Sequence, residues 1–330
     1  MMNLERIGVT LSLVYNQTND TSSSHCEQID TSGRFFFIVV YSLVFLVGLL
    51  LNGFTLKFNF CSAQEQASSS MTIYLKNLAA ADFLISLCLP VRISHFATRS
   101  VTIFRVYCNF GASAFYLNMY ASMLFMGYIA ANRYLKIIRP LGTNIRKTVR
   151  PANIISTLTW LFLLASAATY TTITFLTDKL PPSVPNIFSC NSLHRKQVTV
   201  FYKVLHSCCS ALFLIVFVSL VFFYYSTSRR VAMAEDRKLG SSGSKRLAKS
   251  RRNMLVLVFV FCVCFVPYHL VRLPYTFLEI PCSWGQVFFY LRELALMMSI
   301  LTVCWDPLLY FIYCKGYRAQ LKKSIRRRRR

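Results

Sequence analysis

A chain of 330 residues that is 55% hydrophobic and only 15% charged, with a mean hydropathy of +0.46, is too apolar for an ordinary soluble domain, where about a quarter of residues carry charge. The net charge of +25 would suggest nucleic acid in a soluble protein, but the basic residues sit in particular loops between apolar runs, as membrane orientation signals do, and nucleic-acid binding is set aside. Twelve cysteines are too few for a dense disulfide scaffold, and most lie in apolar runs, where a thiol behaves as a small hydrophobe.

Residues 1–34 are polar, carry the acceptor triplets Asn16-Gln17-Thr18 and Asn19-Asp20-Thr21, and include Cys26; they read as a glycosylated extracellular tail. The apolar patch Ile7 to Tyr15 has no basic leader and no clear small-residue cleavage site, so the first span is expected to act as the insertion signal. About 20 apolar residues cross a bilayer. Stretches of that length recur seven times, at roughly 35–60, 71–97, 107–136, 152–176, 199–226, 250–277 and 285–313. This predicts an all-α fold, a seven-transmembrane-helix bundle over 35–314, followed by a short amphipathic eighth helix and polybasic tail over 315–330.

An odd number of spans puts the two ends on opposite sides. Lys136, Arg139, Arg146 and Lys147, the cluster from Arg229 to Arg252, and the tail with Lys315, Arg318, Lys322, Lys323 and Arg326 to Arg330 all fall on one side, expected to be cytoplasmic. The expected location is therefore the plasma membrane, multi-pass, with the N-terminus outside. Gly240-Ser241-Ser242-Gly243-Ser244 predicts a flexible third inner loop. The Arg326 to Arg330 run reads as solvated or lipid-facing. No internal repeat and no matched pair of broken helices is apparent, which weighs against the different-class alternative, a channel or transporter.

The sixth apolar run ends unusually. His269, Arg272 and Tyr275 follow Pro267 at spacings of three, climbing one helix face by about 9 Å at 1.5 Å per residue, and Pro267 should kink the helix below them. A charged side chain at the bilayer centre costs roughly 2.5–3.5 kcal/mol on insertion scales, so Arg272 either has a partner or cavity beside it or snorkels to the interface. Of the cysteines between spans, Cys26, Cys108, Cys190 and Cys282 share the outer, oxidising side, and four cysteines allow three pairings. There is no metal-ligand spacing, no glycine-rich phosphate loop and no nucleophile beside a histidine at a recognisable spacing, so no enzyme is expected.

Asn132-Arg133-Tyr134 at the inner end of the third span and Asp306-Pro307-Leu308-Leu309-Tyr310 in the seventh are weak signals singly. Joined by Asn52, Leu78, Asp82, Trp160, Tyr224 and Phe265-Val266-Pro267, they resemble the rhodopsin-like G protein-coupled receptors span by span, over about residues 35–320. Within that family the chain looks like the purinergic nucleotide branch and its orphan and lysophospholipid neighbours. That resemblance is carried by Ile73-Tyr74-Leu75-Lys76-Asn77-Leu78, Phe115-Tyr116-Leu117-Asn118-Met119-Tyr120, Cys264-Phe265-Val266-Pro267-Tyr268-His269, Arg272-Leu273-Pro274-Tyr275 and Cys304-Trp305-Asp306-Pro307.

The resemblance implies disulfides Cys108–Cys190 and Cys26–Cys282, a heterotrimeric G protein partner of the inhibitory class, and contact of the basic loops with anionic membrane lipids. It implies a switch built from Asn132, Arg133, Tyr134, Tyr224, Phe265, Pro267, Asp306, Pro307 and Tyr310. Asn132 stands where an acid usually pairs with the arginine, which removes one restraint on basal activity. Arg292 stands where the branch carries lysine, which keeps the charge but supplies a planar fork able to grip phosphate with two hydrogen bonds. An extracellular anionic small molecule, a nucleotide or nucleotide sugar, is then expected between Arg272 and Arg292, surrounded by His269, Tyr275, Tyr116, Tyr120, Tyr202 and His206. A lysophospholipid is the alternative ligand. Glu293 competes, since it adjoins Arg292 and can neutralise it. No organic cofactor is expected; Asp82, Ser122 and Asp306 are expected either to ring a sodium ion or water, or to hold a protonated carboxyl bonded to Ser122.

Overall fold

The computed structural model describes residues 33–61, 69–98, 100–138, 149–177, 190, 196–236, 241–278, 282–313, 317–318 and 326. Among them seven helices are long and apolar enough to cross a bilayer, and no strand occurs. The first span is Arg34–Cys61, the second Ser70–Ala97, the third Val101–Ile138 and the fourth Arg150–Thr177. The fifth is Lys196–Asp236, the sixth Ser241–Phe277, and the seventh comprises Cys282–Ile300 and Thr302–Tyr313, meeting at Leu301. Helices suit this composition because every backbone polar group is satisfied within the segment, which lipid demands.

The fifth and sixth helices run well past the apolar stretches that announced them, because a helix continues into water wherever its residues permit. Ser241 to Ser244 of the glycine–serine run, expected in a flexible loop, form the first turn of the sixth helix, while Gly240 lies outside the described residues. Serine is among the residues favoured at helix N-termini, and no proline interrupts the run. The expected eighth helix falls mostly outside the described residues; Tyr317, Arg318 and Arg326 are helical.

The third span is the most enclosed helix, packed against the second, fourth, fifth and sixth, while the fourth and fifth present Leu158, Phe162, Leu214, Ile215 and Val218 to the lipid side. Polar ties cross the bundle where apolar packing alone would not fix register. Trp160 Nε1 donates to Asn77 Oδ1 at 2.9 Å, and Ser299 Oγ donates to the Cys264 carbonyl at 3.0 Å. Pro307 has no N–H to offer the carbonyl of Val303 one turn earlier, and Asn52 Nδ2 of the first span donates to that oxygen at 3.0 Å. The same neighbourhood needs Gly48, since a Cβ there would collide with Val303 Cγ1 and lie 2.7 Å from Ser86 Oγ.

Candidate anion-binding site

One end of the bundle is marked by the disulfide Cys108–Cys190, with Cα atoms 5.4 Å apart, which ties the start of the third span to the segment before the fifth. This bears out one expected bridge. The other, Cys26–Cys282, and the acceptors Asn16 and Asn19 lie outside the residues whose side chains are described. Cys108 sits in a π-helical turn, Tyr107–Gly111, in which Tyr107, Cys108, Asn109 and Gly111 are buried.

Near this end Arg272 is only 8% exposed. Its Nη2 donates to His206 Nε2 at 3.2 Å, and its guanidinium carbon lies 5.4, 5.1 and 5.8 Å from the ring centres of Tyr116, Tyr202 and Tyr275. His206 must accept from a guanidinium, so it is the tautomer protonated on Nδ1. Arg272 makes no ion pair among the described residues, and its Nε is buried without a hydrogen bond. Three aromatic faces and one imidazole thus hold a cation that has no counter-charge among the described residues, within a membrane-spanning helix where an uncompensated charge is costly.

Arg292 is differently placed. It donates to the Tyr275 hydroxyl at 3.1 Å and to Glu293 Oε1 at 3.0 Å, and its guanidinium lies 5.2 Å from the Tyr275 ring centre. Glu293 therefore does engage it, but the same carboxylate is shared with Arg92 of the second span. Arg92, 1% exposed, also donates to the Tyr107 hydroxyl and is enclosed by the rings of Tyr41, Phe96, Tyr107 and Phe115 at 5.0–5.6 Å. Two cations thus share one acid. Tyr275 stands between Arg272 and Arg292 and joins the two halves of the site.

Sequence reasoning misses Arg92, although the signal is present: it is an arginine inside the second apolar run, two residues after Pro90, and the insertion cost that draws attention to Arg272 applies equally to it. Its neighbour His95, stacked on Tyr107 with ring centres 4.6 Å apart, escapes in the same way.

Below Arg272, His269 donates from Nδ1 to the Phe265 carbonyl at 2.9 Å and accepts from the Tyr120 hydroxyl at 3.4 Å, while its ring stacks on Phe213 at 3.9 Å. It is therefore packed into the floor of the site, and a chain of rings, Tyr268 and then Tyr116, links it to Arg272. Phe265 is fully buried against Phe261, and Pro267 lies within a continuous helix. Deeper still, Ser122 Oγ donates to Asp82 Oδ1 at 3.2 Å, and Asp306 faces Asp82. Asp82 Oδ2, both Asp306 carboxyl oxygens and Asn52 Oδ1 are buried without hydrogen bonds. Such a gathering of hard oxygens suits a small cation or ordered water, and equally one protonated carboxyl donating from one aspartate to the other.

At the far end Arg133 lies 4.5 Å from the ring centre of Tyr313, whose hydroxyl donates to the Asn253 carbonyl of the sixth span at 2.9 Å. Tyr134 stacks on Phe223 at 4.7 Å, and Tyr310 donates to the Leu75 carbonyl at 2.9 Å. Asn132 Oδ1 makes no hydrogen bond, and Tyr224 is half-buried on the fifth span outside this cluster.

The family model for seven-transmembrane receptors of the rhodopsin family matches residues 51–310. The chain is 32% identical to purinoceptor 14 of Bos taurus, covering 87% of this chain and 84% of that one. It is 31% identical to purinoceptor 13 of Homo sapiens, over 96% and 88% of the two chains, and 30% identical to G-protein coupled receptor 87 of Mus musculus, over 94% and 87%.

Proposed function

The chain belongs to the rhodopsin family of seven-transmembrane receptors, and on that premise we propose that it responds to an extracellular phosphate-bearing ligand, a nucleotide or nucleotide sugar, by activating a heterotrimeric G protein of the inhibitory class. Membership makes it a multi-pass plasma-membrane receptor, and not an enzyme. The single observation that carries the ligand reading is Arg272, a buried guanidinium without a carboxylate partner among the described residues. A phosphate supplies the missing charge and accepts the unsatisfied Nε–H, and the surrounding tyrosines offer faces and hydroxyls to a base or ribose. The purinoceptor names of two relatives support the same ligand class. A lysophospholipid receptor of the same fold is the second reading, favoured by an apolar crevice beside Arg272.

The reading puts the disulfide end outside and the Arg133 end against the G protein and the anionic lipids of the inner leaflet. A tag at the N-terminus should then be reached by antibody on intact cells; protection there, with a reachable C-terminal tag, overturns the orientation. Agonist acts only through a difference in affinity between two conformations. Phosphate bound between Arg272 and Arg292 draws the sixth and seventh spans together at the outer end, and Pro267 lets the inner half of the sixth swing away from Tyr313. Asp82, Ser122 and Asp306 would hold sodium or water in the resting conformation, supplying a charge or hydrogen bonds to their unpaired oxygens. Sodium titration of agonist binding checks that part, with the dependence expected to vanish in Asp82→Asn.

Arg272→Ala tests the whole reading. Hydrogen bonds to charged groups contribute about 1.5–3 kcal/mol each, so losing the contact should weaken agonist potency by roughly tenfold to a hundredfold or more. Arg272→Lys keeps the charge without the fork and should fall between. Equal potency of both variants and the parent for every phosphate-bearing agonist, at normal surface expression, leaves Arg272 as an interfacial anchor only.

A further inference from the structure

The hydrogen-bond partner that Arg272 finds within the chain is itself a titratable group. Arg272 Nη2 donates to His206 Nε2 at 3.2 Å, and His206, buried on the fifth span, lies one helical turn beyond Tyr202. A guanidinium has only donors, so this bond exists only while His206 Nε2 carries a lone pair. An imidazolium in the same place would aim one N–H at another and set two positive charges within hydrogen-bond distance. Tyr116 of the third span and Tyr202 of the fifth meet the imidazole edge to face, with ring centres 5.5 and 4.2 Å away. Tyr120 of the third span, Tyr170 of the fourth, and Cys208 and Cys209 of the fifth line one cavity with it, and His269 of the sixth is near enough to act on it electrostatically. None of these groups is an acid, and no carboxylate among the described residues pairs with His206. Arg292 of the seventh span stands beyond Tyr275 and is already paired with Glu293.

Resting on the reading that Arg272 receives a phosphate, we infer that His206 changes roles when the ligand binds, from acceptor of Arg272 to donor toward the phosphate, and takes up one proton from the outer water as it does so. A phosphate oxygen only accepts, so it can use both Arg272 and His206 Nε2 only when that nitrogen carries a proton. Two forms of the ring meet the requirement, the other neutral tautomer and the imidazolium. The phosphate's charge selects the imidazolium, because an opposite charge within about 4–6 Å favours the charged form. Arg272 thus excludes the proton from the empty site, and the phosphate holds both cations in the filled one. Ligand and proton then strengthen each other's binding, and affinity for a phosphate ligand rises as the outer medium becomes more acidic. His269 does not repeat the device. Its Nδ1 donates to the Phe265 carbonyl and its Nε2 accepts from Tyr120, so both nitrogens are engaged within the chain.

The test uses the full-length receptor in phosphatidylcholine nanodiscs and UDP-glucose as ligand. Both phosphates of this probe are diesters that keep their charge between about pH 6 and about pH 8, where a phosphate monoester would titrate by itself. Calorimetry in buffers of different ionisation enthalpy should find about one proton taken up per ligand bound near pH 7.5, and affinity should rise roughly tenfold from about pH 8 to about pH 6. His206→Gln keeps a carbonyl for Arg272 and an N–H for the phosphate but cannot take the proton, so it should bind with no proton uptake and equal affinity at both pH values. His206→Asn repeats the comparison with a shorter amide, and the proton count on the parent receptor needs no variant at all. UDP-glucose binding without proton uptake and without pH dependence overturns the inference and leaves the phosphate reading intact, since a change of tautomer then suffices. Uptake that persists unchanged in both amide variants overturns it equally, by placing the proton elsewhere. Failure of UDP-glucose and ADP alike to bind the parent at either pH overturns the nucleotide reading itself, and this inference with it.

Discussion

Arg92 and Arg272 are both arginines buried in membrane-spanning helices near the disulfide end, yet they are held in opposite ways. Arg92 has a carboxylate, a phenol and four aromatic rings around it. Arg272 has rings and a neutral imidazole but no acid among the described residues; the Nε–H of both arginines is buried without a hydrogen bond. The first arrangement meets its charge with an acid of the chain itself, shared with Arg292. The second has no acid among the described residues, and that is the condition in which the proposed phosphate would serve it. Burial of an arginine thus does not distinguish a structural ion pair from a ligand site; the inventory of partners does.

The largest effect that would break this contrast is on folding. Arg92→Met leaves Glu293 paired with Arg292 but removes charged hydrogen bonds of about 1.5–3 kcal/mol each, so it should lower surface expression and melting temperature, whereas Arg272→Met should leave both near the parent's or raise them. Similar melting temperatures for the two variants in detergent would abolish the distinction. Gly48→Ala comes next, since its methyl group would be driven against the stiff, β-branched Val303; overpacking of this kind costs about 1–3 kcal/mol and should lower expression without altering the agonist rank order. The smallest effect belongs to the far end. Asn132→Asp offers Arg133 an acid in place of the Tyr313 ring, and pairs of that type contribute about 0.2–1 kcal/mol, so basal G protein activation should fall by no more than about fivefold with expression unchanged.

The positions of the spans were legible because hydropathy marks where lipid is. Their true ends were not, since the fifth helix continues to Asp236 and the sixth begins at Ser241 with residues that carry no membrane signal. Arg272 was legible as a charge out of place, and the competition between Arg292 and Glu293 followed from adjacency. That Glu293 serves a second cation was not, because Arg92 is 201 residues away and only the packing of the second span against the seventh brings them together. His269 shows the converse: its spacing put it on the face of Arg272, while its side chain turns to the Phe265 carbonyl and the Phe213 ring, giving it a packing role that periodicity does not reveal.

Tyr313 carries Arg133 on its ring and binds the Asn253 carbonyl through its hydroxyl, so a single side chain from the seventh span fastens the third and the sixth. Movement of Tyr313 therefore disturbs both contacts at once, coupling the third span to the sixth through one side chain. Loss of the hydroxyl alone should therefore release the sixth span while Arg133 keeps its ring, and a distance probe across the third and sixth spans should show the longer distance more populated than in the parent.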